Sequence, residues 1–173
     1  MAKCTFRDAT VIGDYLKPYI VAEVNTSHSG SIETAKEMID RAKEAGCSCV
    51  KFQSWTTESL YSKTYYAENP IAKRFVQKFS FSEAELMEVA RYCKEVGIAF
   101  ASTPYSEAEV DFLVDKCEAP FIKVASMDLV NYPFLEYIGR RGAPIVLSTG
   151  MGTMGEVHKA VAVIEKTGNK NVC

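Results

Sequence analysis

"FIKVAS", residues 121–126, is an apolar run that carries a lysine, Lys123, in its middle and ends in a hydroxyl residue. An earlier run, "CVKFQ" at residues 49–53, repeats this pattern with Lys51 and a polar final residue. Burying an unpaired ammonium is costly, so a lysine inside a strand needs an acidic neighbour or an anionic ligand. Two such lysines on two strands indicate one shared anionic ligand.

Strand-like and helix-like patterns alternate around these two runs. The apolar strand-like runs lie at 19–25, 49–53, 98–104, 121–126 and 144–150. Three of the amphipathic stretches between them begin with the S/T-x-x-E pattern of a capping box, at Ser82, Ser106 and Thr153. Four stretches end at a glycine, at Gly46, Gly97, Gly142 and Gly168. Alternation of continuous apolar strands with helices predicts an α/β protein with a parallel sheet covered by helices.

Polar residues gather at the carboxyl end of every predicted strand, which favours a (β/α)8 TIM barrel over an open sheet. A barrel brings all these ends to one rim, whereas an open sheet uses mainly its switch point. No G-x-G-x-x-G follows the first strand, which weakens the dinucleotide-binding alternative. The final "NKNVC" has the pattern of a sixth strand beginning. We therefore predict that residues 1–173 supply about five βα units, strands 1–5 and the start of strand 6, of a longer barrel.

A longer connection, rich in tyrosine, lies between Trp55 and Phe81, and we expect a short helix near "PIAKRFVQKF", residues 70–79. A connection of this length in a compact unit is often functional, but a surface loop without a function has the same sequence features. The sequence leaves both possibilities open.

Composition excludes several classes of protein. Lys plus Arg number 20 against 22 Asp plus Glu, for a formal net charge of −2 without a basic run, so neither nucleic acid nor an anionic membrane is an expected partner. The sequence shows neither a membrane-length apolar stretch nor a secretory signal pattern, and we expect a cytoplasmic protein. Its six scattered cysteines predict free thiols.

The predicted rim has the donors of an oxyanion site. The hydroxyl residues that would join Lys51 and Lys123 are Thr103, Ser126 and Ser148. One alternative pairs one of the two lysines with Glu23, which ends the first strand, across the barrel. Another makes one lysine a Schiff-base nucleophile, which leaves the second lysine unexplained.

Three further residues have candidate roles. Glu23 could orient a hydroxylated substrate or exchange a proton. His28, in the "NTSHSG" loop after the first strand, could contact substrate or metal. His158 has the pattern of an exposed helix residue.

Five segments together resemble the N-acetylneuraminate (sialic acid) synthase family, which also includes the legionaminate and pseudaminate synthases. They are "IVAEVNTSHSGSIETAKEMIDRAKEAG", "CVKFQ", "FASTPYSEAEVDFL", "FIKVASMDLVNYPFLEYI" and "PIVLSTGM". The resemblance implies a TIM barrel followed by a small antifreeze-like domain, in a homodimer. It also implies condensation of phosphoenolpyruvate with an N-acetylated hexose, such as N-acetylmannosamine, with release of phosphate by C–O cleavage and use of Mn²⁺ or Mg²⁺.

The resemblance assigns roles by motif. Phosphoenolpyruvate would be held by Lys51, Thr103, Lys123, Ser126 and Ser148, and the sugar by Glu23 and Gln53, with Glu23 and the two lysines as catalytic residues. "NTSHSG" keeps His28 but changes its neighbours, and Asp128 stands where the family has a glutamate. The family's two metal-binding histidines belong to later strands, so we expect no metal ligand, no antifreeze-like domain and no activity from residues 1–173 alone. The alternatives are a Schiff-base pyruvate aldolase built on Lys123 and a non-catalytic, anion-binding barrel fragment.

Overall fold

The computed structural model describes residues 3–173 and has an α/β architecture. Its strands are β1 (Lys3–Thr5), β2 (Val11–Gly13), β3 (Val21–Asn25), β4 (Cys49–Ser54), β5 (Ala99–Pro104), β6 (Ile122–Val124) and β7 (Ile145–Leu147). Its helices are α1 (Ile32–Glu44), α2 (Thr57–Leu60), α3 (Lys63–Glu68), α4 (Pro70–Phe79), α5 (Glu83–Val96), α6 (Glu107–Asp115), α7 (Tyr132–Arg140) and α8 (Met154–Lys166). A 3₁₀ turn covers Ser126–Asp128.

The strands after the hairpin are parallel, as predicted. They form two sheets, β3-β4-β5 and β6-β7, with β6 lying against β5. All five predicted strands are present, although β6 and β7 are shorter than the apolar runs that predicted them. Val172 forms an isolated parallel bridge with Ile145, on the side of β7 where the sequence predicts that a further strand begins.

Alternate residues of the strands pack on two different layers. Phe52, Phe100 and Ile122 belong to the main core, which the helices cover. Cys49, Ala101 and Phe121 point to the opposite face, here called the inner face. Because side chains alternate along a strand, the inner face continues through the residues two positions further on, which include both strand lysines.

An antiparallel hairpin, β1 and β2, covers the inner face at the amino ends of the strands, and the sequence patterns did not predict it. Cys4 and Phe6 of this segment pack against Cys49, Ala101 and Phe121. Its strands have three residues each, too few to show a recognisable period. The hairpin therefore covers the inner face at the amino ends of the strands.

Helix ends follow the predicted signals with one exception. Ser82 and Thr153 form reciprocal capping boxes with the glutamates three residues later. Ser106 does accept a hydrogen bond from the backbone N–H of Glu109. The Glu109 carboxylate, however, accepts from the Tyr105 N–H at 2.6 Å and from the Ser59 hydroxyl at 2.5 Å. The reciprocal capping box predicted at Ser106 is therefore wrong, because a contact distant in sequence takes the carboxylate.

The connection between β4 and α5 contains the predicted helix, α4, and also α2 and α3. These two helices have four and six residues, below the length at which a helical period shows in sequence. We call residues 56–80 the insertion. Tyr61 packs against Tyr65 at 4.6 Å between ring centroids, which gives the insertion an aromatic cluster of its own.

All six cysteines are free thiols, as predicted. Within residues 3–173, none of the helices combines the length and the apolar character that a membrane crossing requires.

Candidate active site

Lys51 lies on the inner face of β4 and is only 6% exposed. Its ammonium nitrogen is 2.8 Å from a carboxylate oxygen of Glu23, the residue beside it on β3, and donates to the Thr103 hydroxyl at 3.2 Å. The alternative in which a lysine pairs with Glu23 is thus present in the structure, and the lysine is Lys51. The Glu23 side chain is 53% exposed, so the pair remains open to a ligand on one side.

Lys123 lies half-buried on the inner face of β6. Its ammonium donates to the Val124 carbonyl at 2.8 Å and contacts the Ser148 hydroxyl. Burial, and then the positive charge of Lys51, lower the pKa of Lys123 to about 8, while the charge of Glu23 opposes this shift. Because the two ammonium groups influence each other, an anion that contacted both would relieve their repulsion.

Two of the predicted hydroxyl residues bond to these lysines. Thr103 bonds to Lys51 and Ser148 to Lys123. Ser126 begins the 3₁₀ turn after β6 and lies beside Gly150. A Cβ placed on Gly150 would lie 3.6 Å from the Cβ of Ser126. The glycine therefore leaves the space beside the Ser126 side chain open.

Gln53, Tyr105 and Asp128 extend the site away from the lysines. The Gln53 amide donates to the Tyr105 hydroxyl at 2.8 Å. One Asp128 oxygen accepts from Asn131 at 3.1 Å, and the other is buried with no hydrogen-bond partner among residues 3–173. Burial raises the pKa of Asp128. Burial, and then the charge of Asp128, raise the pKa of Tyr105.

Tyr105 is a site residue that the sequence reasoning missed. It follows "STP" directly at the end of β5, and a hydroxylated ring at a strand's carboxyl end was the available signal.

His28 does not line this open region, which corrects the expectation of a substrate contact. Its side chain lies in the loop after β3 but is 2% exposed, and its ring stacks on Phe81 at 3.9 Å. Nδ1 accepts the Gly30 N–H at 3.1 Å, and burial lowers the pKa of the imidazole. The structure makes His28 an anchor of the loop. His158 is exposed on α8, as predicted.

A cavity of about 330 Å³ lies beside Gln53 and Tyr105. One wall comes from strand ends and the loops after them, and the other from the insertion. The residues of the first wall are Asn25, Thr26, Gln53, Trp55, Tyr105 and Met127, and those of the second are Leu60, Tyr61, Phe75, Val76 and Phe79. The volume is within the usual range of small-molecule sites. The insertion therefore forms one wall of a cavity at the carboxyl ends of β4 and β5.

The residues that the structure describes contain no group of three or more His, Cys, Asp or Glu side chains arranged to hold a metal ion. They do not by themselves fit the divalent metal that the resemblance implies.

Known proteins resemble this chain in sequence and structure. The chain is 36% identical, over 90% of its length, to human N-acetylneuraminate-9-phosphate synthase. It is 30% identical, over 88% of its length, to N,N'-diacetyllegionaminic acid synthase of Legionella pneumophila. In each case it spans 45% of the relative, so it covers less than half of their lengths.

A solved structure agrees with these sequence relatives. The crystal structure of N-acetylneuraminic acid synthetase from Leptospira borgpetersenii superposes with a TM-score of 0.86 at 26% identity, covering 97% of this chain and 56% of that one. A sequence model of the NeuB family matches residues 38–173. The match covers most of the chain, including both strand lysines and the hydroxyl residues around them, and this chain therefore belongs to the NeuB family.

Proposed function

We propose that the protein containing this chain condenses phosphoenolpyruvate with an N-acetylated hexose, such as N-acetylmannosamine or a related amino sugar. The product would be a nonulosonic (sialic-type) acid, with phosphate released by C–O cleavage. The observation that carries this proposal is the pair of lysines on the inner face, Lys51 and Lys123, each bonded to a strand-end hydroxyl. Family membership supports the same reaction class.

The inner face offers what the two anionic groups of phosphoenolpyruvate require. A phosphate and a carboxylate both accept charge-assisted hydrogen bonds from ammonium and hydroxyl groups. Lys51 and Lys123 would hold these groups as cations, and the assisting hydroxyls would come from Thr103, Ser126 and Ser148. Binding would orient the phosphoenolpyruvate carbon chain before the sugar arrives.

Glu23 and Gln53 would contact the sugar. Glu23 is paired with Lys51 yet half exposed, so its second oxygen is available to a sugar hydroxyl. Gln53 lies at the border between the lysines and the cavity. This arrangement would hold the sugar carbonyl close to phosphoenolpyruvate.

We further propose that residues 1–173 are the N-terminal portion of a (β/α)8 barrel that later residues complete. β3 pairs with β4 on one side, and no residue among 3–173 pairs with its other edge. Ile20 and Val21 at this edge are 52% and 38% exposed, as expected where another strand belongs. An antifreeze-like domain and a homodimer would complete the enzyme. The ligands for Mn²⁺ or Mg²⁺ would lie mostly outside this chain.

The direct test is phosphate release by the protein expressed from its natural gene. Phosphoenolpyruvate, Mn²⁺ or Mg²⁺, and a panel of N-acetylated hexoses would be supplied, and inorganic phosphate measured. We expect release only when a suitable sugar is present. Absence of sugar-dependent release across the panel would overturn the proposal.

A matched pair of lysine variants tests the anion site. Lys123→Met should weaken phosphoenolpyruvate binding about 10-fold to 100-fold, the range for a lost charge-assisted hydrogen bond. Lys116→Met, at an exposed lysine that ends α6, should leave binding unchanged. Unaltered affinity in Lys123→Met would show that this lysine is structural. Trapping of pyruvate on Lys123 by borohydride would instead indicate the Schiff-base aldolase.

A further inference from the structure

Two of the six free thiols, those of Cys4 and Cys173, lie at the same end of the inner face. Cys4 belongs to the hairpin, is 3% exposed and packs in the inner-face cluster with Cys49 and Phe121. Val146 of β7 packs against the same cluster. The cluster therefore brings the hairpin next to β7 at the amino ends of the strands.

The segment that follows α8 also lies beside β7. The Cys173 N–H donates to the Ile145 carbonyl at 2.9 Å, and the Leu147 N–H donates to the Cys173 carbonyl at 2.8 Å. These two bonds place Cys173 opposite Val146, so both side chains point to the inner face. Val172 packs against the main core instead, as the alternation of side chains along a strand requires.

The hairpin contacts this segment directly. The Thr5 N–H donates to the side-chain oxygen of Asn171 at 3.3 Å. Asn171 precedes Cys173 by two residues and so shares its face, while Thr5 adjoins Cys4 in the chain. A side-chain hydrogen bond joins the thiols of Cys4 and Cys173. Two cysteines far apart in the sequence are thus neighbours in the fold.

The reduced pair is unreactive at neutral pH. Burial raises the pKa of the Cys4 thiol, and the hydrogen bond with Cys173 opposes that shift. Burial, and then the charge of Cys4, raise the pKa of the Cys173 thiol to about 12. Because the thiolate is the reactive form, both thiols react slowly at pH 7. Cys173 is exposed in the part of the chain that the structure describes, so a molecule as small as a peroxide reaches the pair.

We propose that Cys4 and Cys173 are an oxidative modification site, at which hydrogen peroxide converts the two thiols to a disulfide. One thiolate attacks a peroxide oxygen, the O–O bond breaks and hydroxide departs, which leaves a sulfenic acid. The other thiolate attacks the sulfenic sulfur, the S–O bond breaks, and a second hydroxide departs as the S–S bond forms. The hydroxides take up the two thiol protons, so two thiols and one peroxide give one disulfide and two waters. The thiols lose two electrons and the peroxide gains them.

The disulfide would fasten the hairpin to the segment beside β7. It closes nearly the whole described chain, from residue 4 to residue 173, into one loop, and a cross-link that closes a long loop restricts the unfolded chain most. We therefore expect the oxidised protein to unfold about 5–10 °C above the reduced protein. Reduction with dithiothreitol should abolish this difference.

Peptide mapping of the protein from its natural gene tests the link. The protein is treated with hydrogen peroxide at pH 8.5, where more thiolate is present, then alkylated with iodoacetamide and digested with trypsin without reduction. Trypsin releases Cys4 in "CTFR", residues 4–7, and Cys173 in a peptide that begins at Asn171. We expect these two peptides to be joined, at two hydrogen masses below their sum, in a chain that migrates as a monomer on a non-reducing gel.

Any other product would overturn the proposal. Cys49 lies in the same cluster as Cys4, and trypsin releases it in "EAGCSCVK", residues 44–51. Attachment of "CTFR" to that peptide would show that a different pair reacts. Alkylated Cys4 and Cys173 after the treatment, or a link between two copies of the chain, would also contradict the assignment.

Thermal unfolding of matched variants completes the test. Cys4→Ala and Cys173→Ser should each lose both the link and the rise in Tm on oxidation. Cys117→Ser is the control and should keep both, since Cys117 is a free thiol that packs against the main core. If Cys4→Ala fails to fold, Cys173→Ser at the exposed position decides the question, and an undiminished rise in Tm there would overturn the proposal. Neither measurement requires catalysis, so this inference stands or falls independently of the synthase reaction.

Discussion

Lys123 lies where its charge is costly, half-buried and near a second ammonium. The Glu23 carboxylate pairs with Lys51 rather than with Lys123, and the polar contacts of Lys123 are to neutral oxygens. At the scale of single residues, the site therefore holds positive charge that a bound anion would neutralise.

The lowered pKa of Lys123 predicts a pH dependence of anion binding. Above a pKa of about 8 the free protein loses the ammonium that binding requires. The dissociation constant for phosphoenolpyruvate should therefore be steady from pH 7 to 7.5 and then rise, approaching tenfold per pH unit above about pH 8. Calorimetric titration at several pH values measures it. Lys123→Arg keeps its charge over this range and should remove the rise; wild-type affinity that stays constant to pH 9.5 would contradict the prediction.

The lowered pKa of Lys123 also predicts that Lys123→Met stabilises the fold, although the same substitution weakens phosphoenolpyruvate binding. The folded pKa lies below the value of 10.5 for a free lysine, so the unfolded chain binds the proton more tightly and the ammonium lowers stability at pH 7. After allowance for solvent screening we expect a gain of about 1 kcal/mol, or about 2–4 °C in Tm. Thermal unfolding should show this gain diminish at pH 9.5, where the folded lysine is neutral. A lower Tm at pH 7 would contradict it.

At the scale of elements, the insertion is held to the rest of the fold by Glu109. This carboxylate, whose pKa burial raises, accepts from Ser59 of α2 and from the Tyr105 backbone beside the site. It therefore links the insertion to the turn that positions Tyr105.

Glu109→Ala should loosen the insertion. Hydrogen exchange over residues 56–80 should become faster, because Ser59 loses its hydrogen bond to Glu109 and the part-buried Tyr105 N–H loses its acceptor, at a cost of about 1–3 kcal/mol. Glu107→Ala, an exposed glutamate in the first turn of the same helix, is the control and should not alter exchange there. Equal exchange in both variants would show that α2 is held by other contacts.

At the scale of the whole molecule, β3 has one edge with which no strand among residues 3–173 pairs. Unpaired strand edges promote association between chains. We expect residues 1–173 alone to self-associate, as measured by light scattering, and Val21→Lys at this edge to increase the monomer fraction. Val11→Lys, at an exposed position of the hairpin, should not. A strictly monomeric 173-residue chain would contradict this expectation.

The order of the βα units, the positions of most helix caps and the two strand lysines were predictable from sequence alone. These features are local: the apolar period of each segment and the polar residue that ends it reflect burial and hydrogen bonding within a few residues. The tertiary structure decided the rest. It buried His28 against Phe81, bonded the Glu109 carboxylate to Ser59, and placed Asn25 and Trp55 in one cavity with α4. Each of these joins residues far apart in the chain, and no local pattern encodes such contacts.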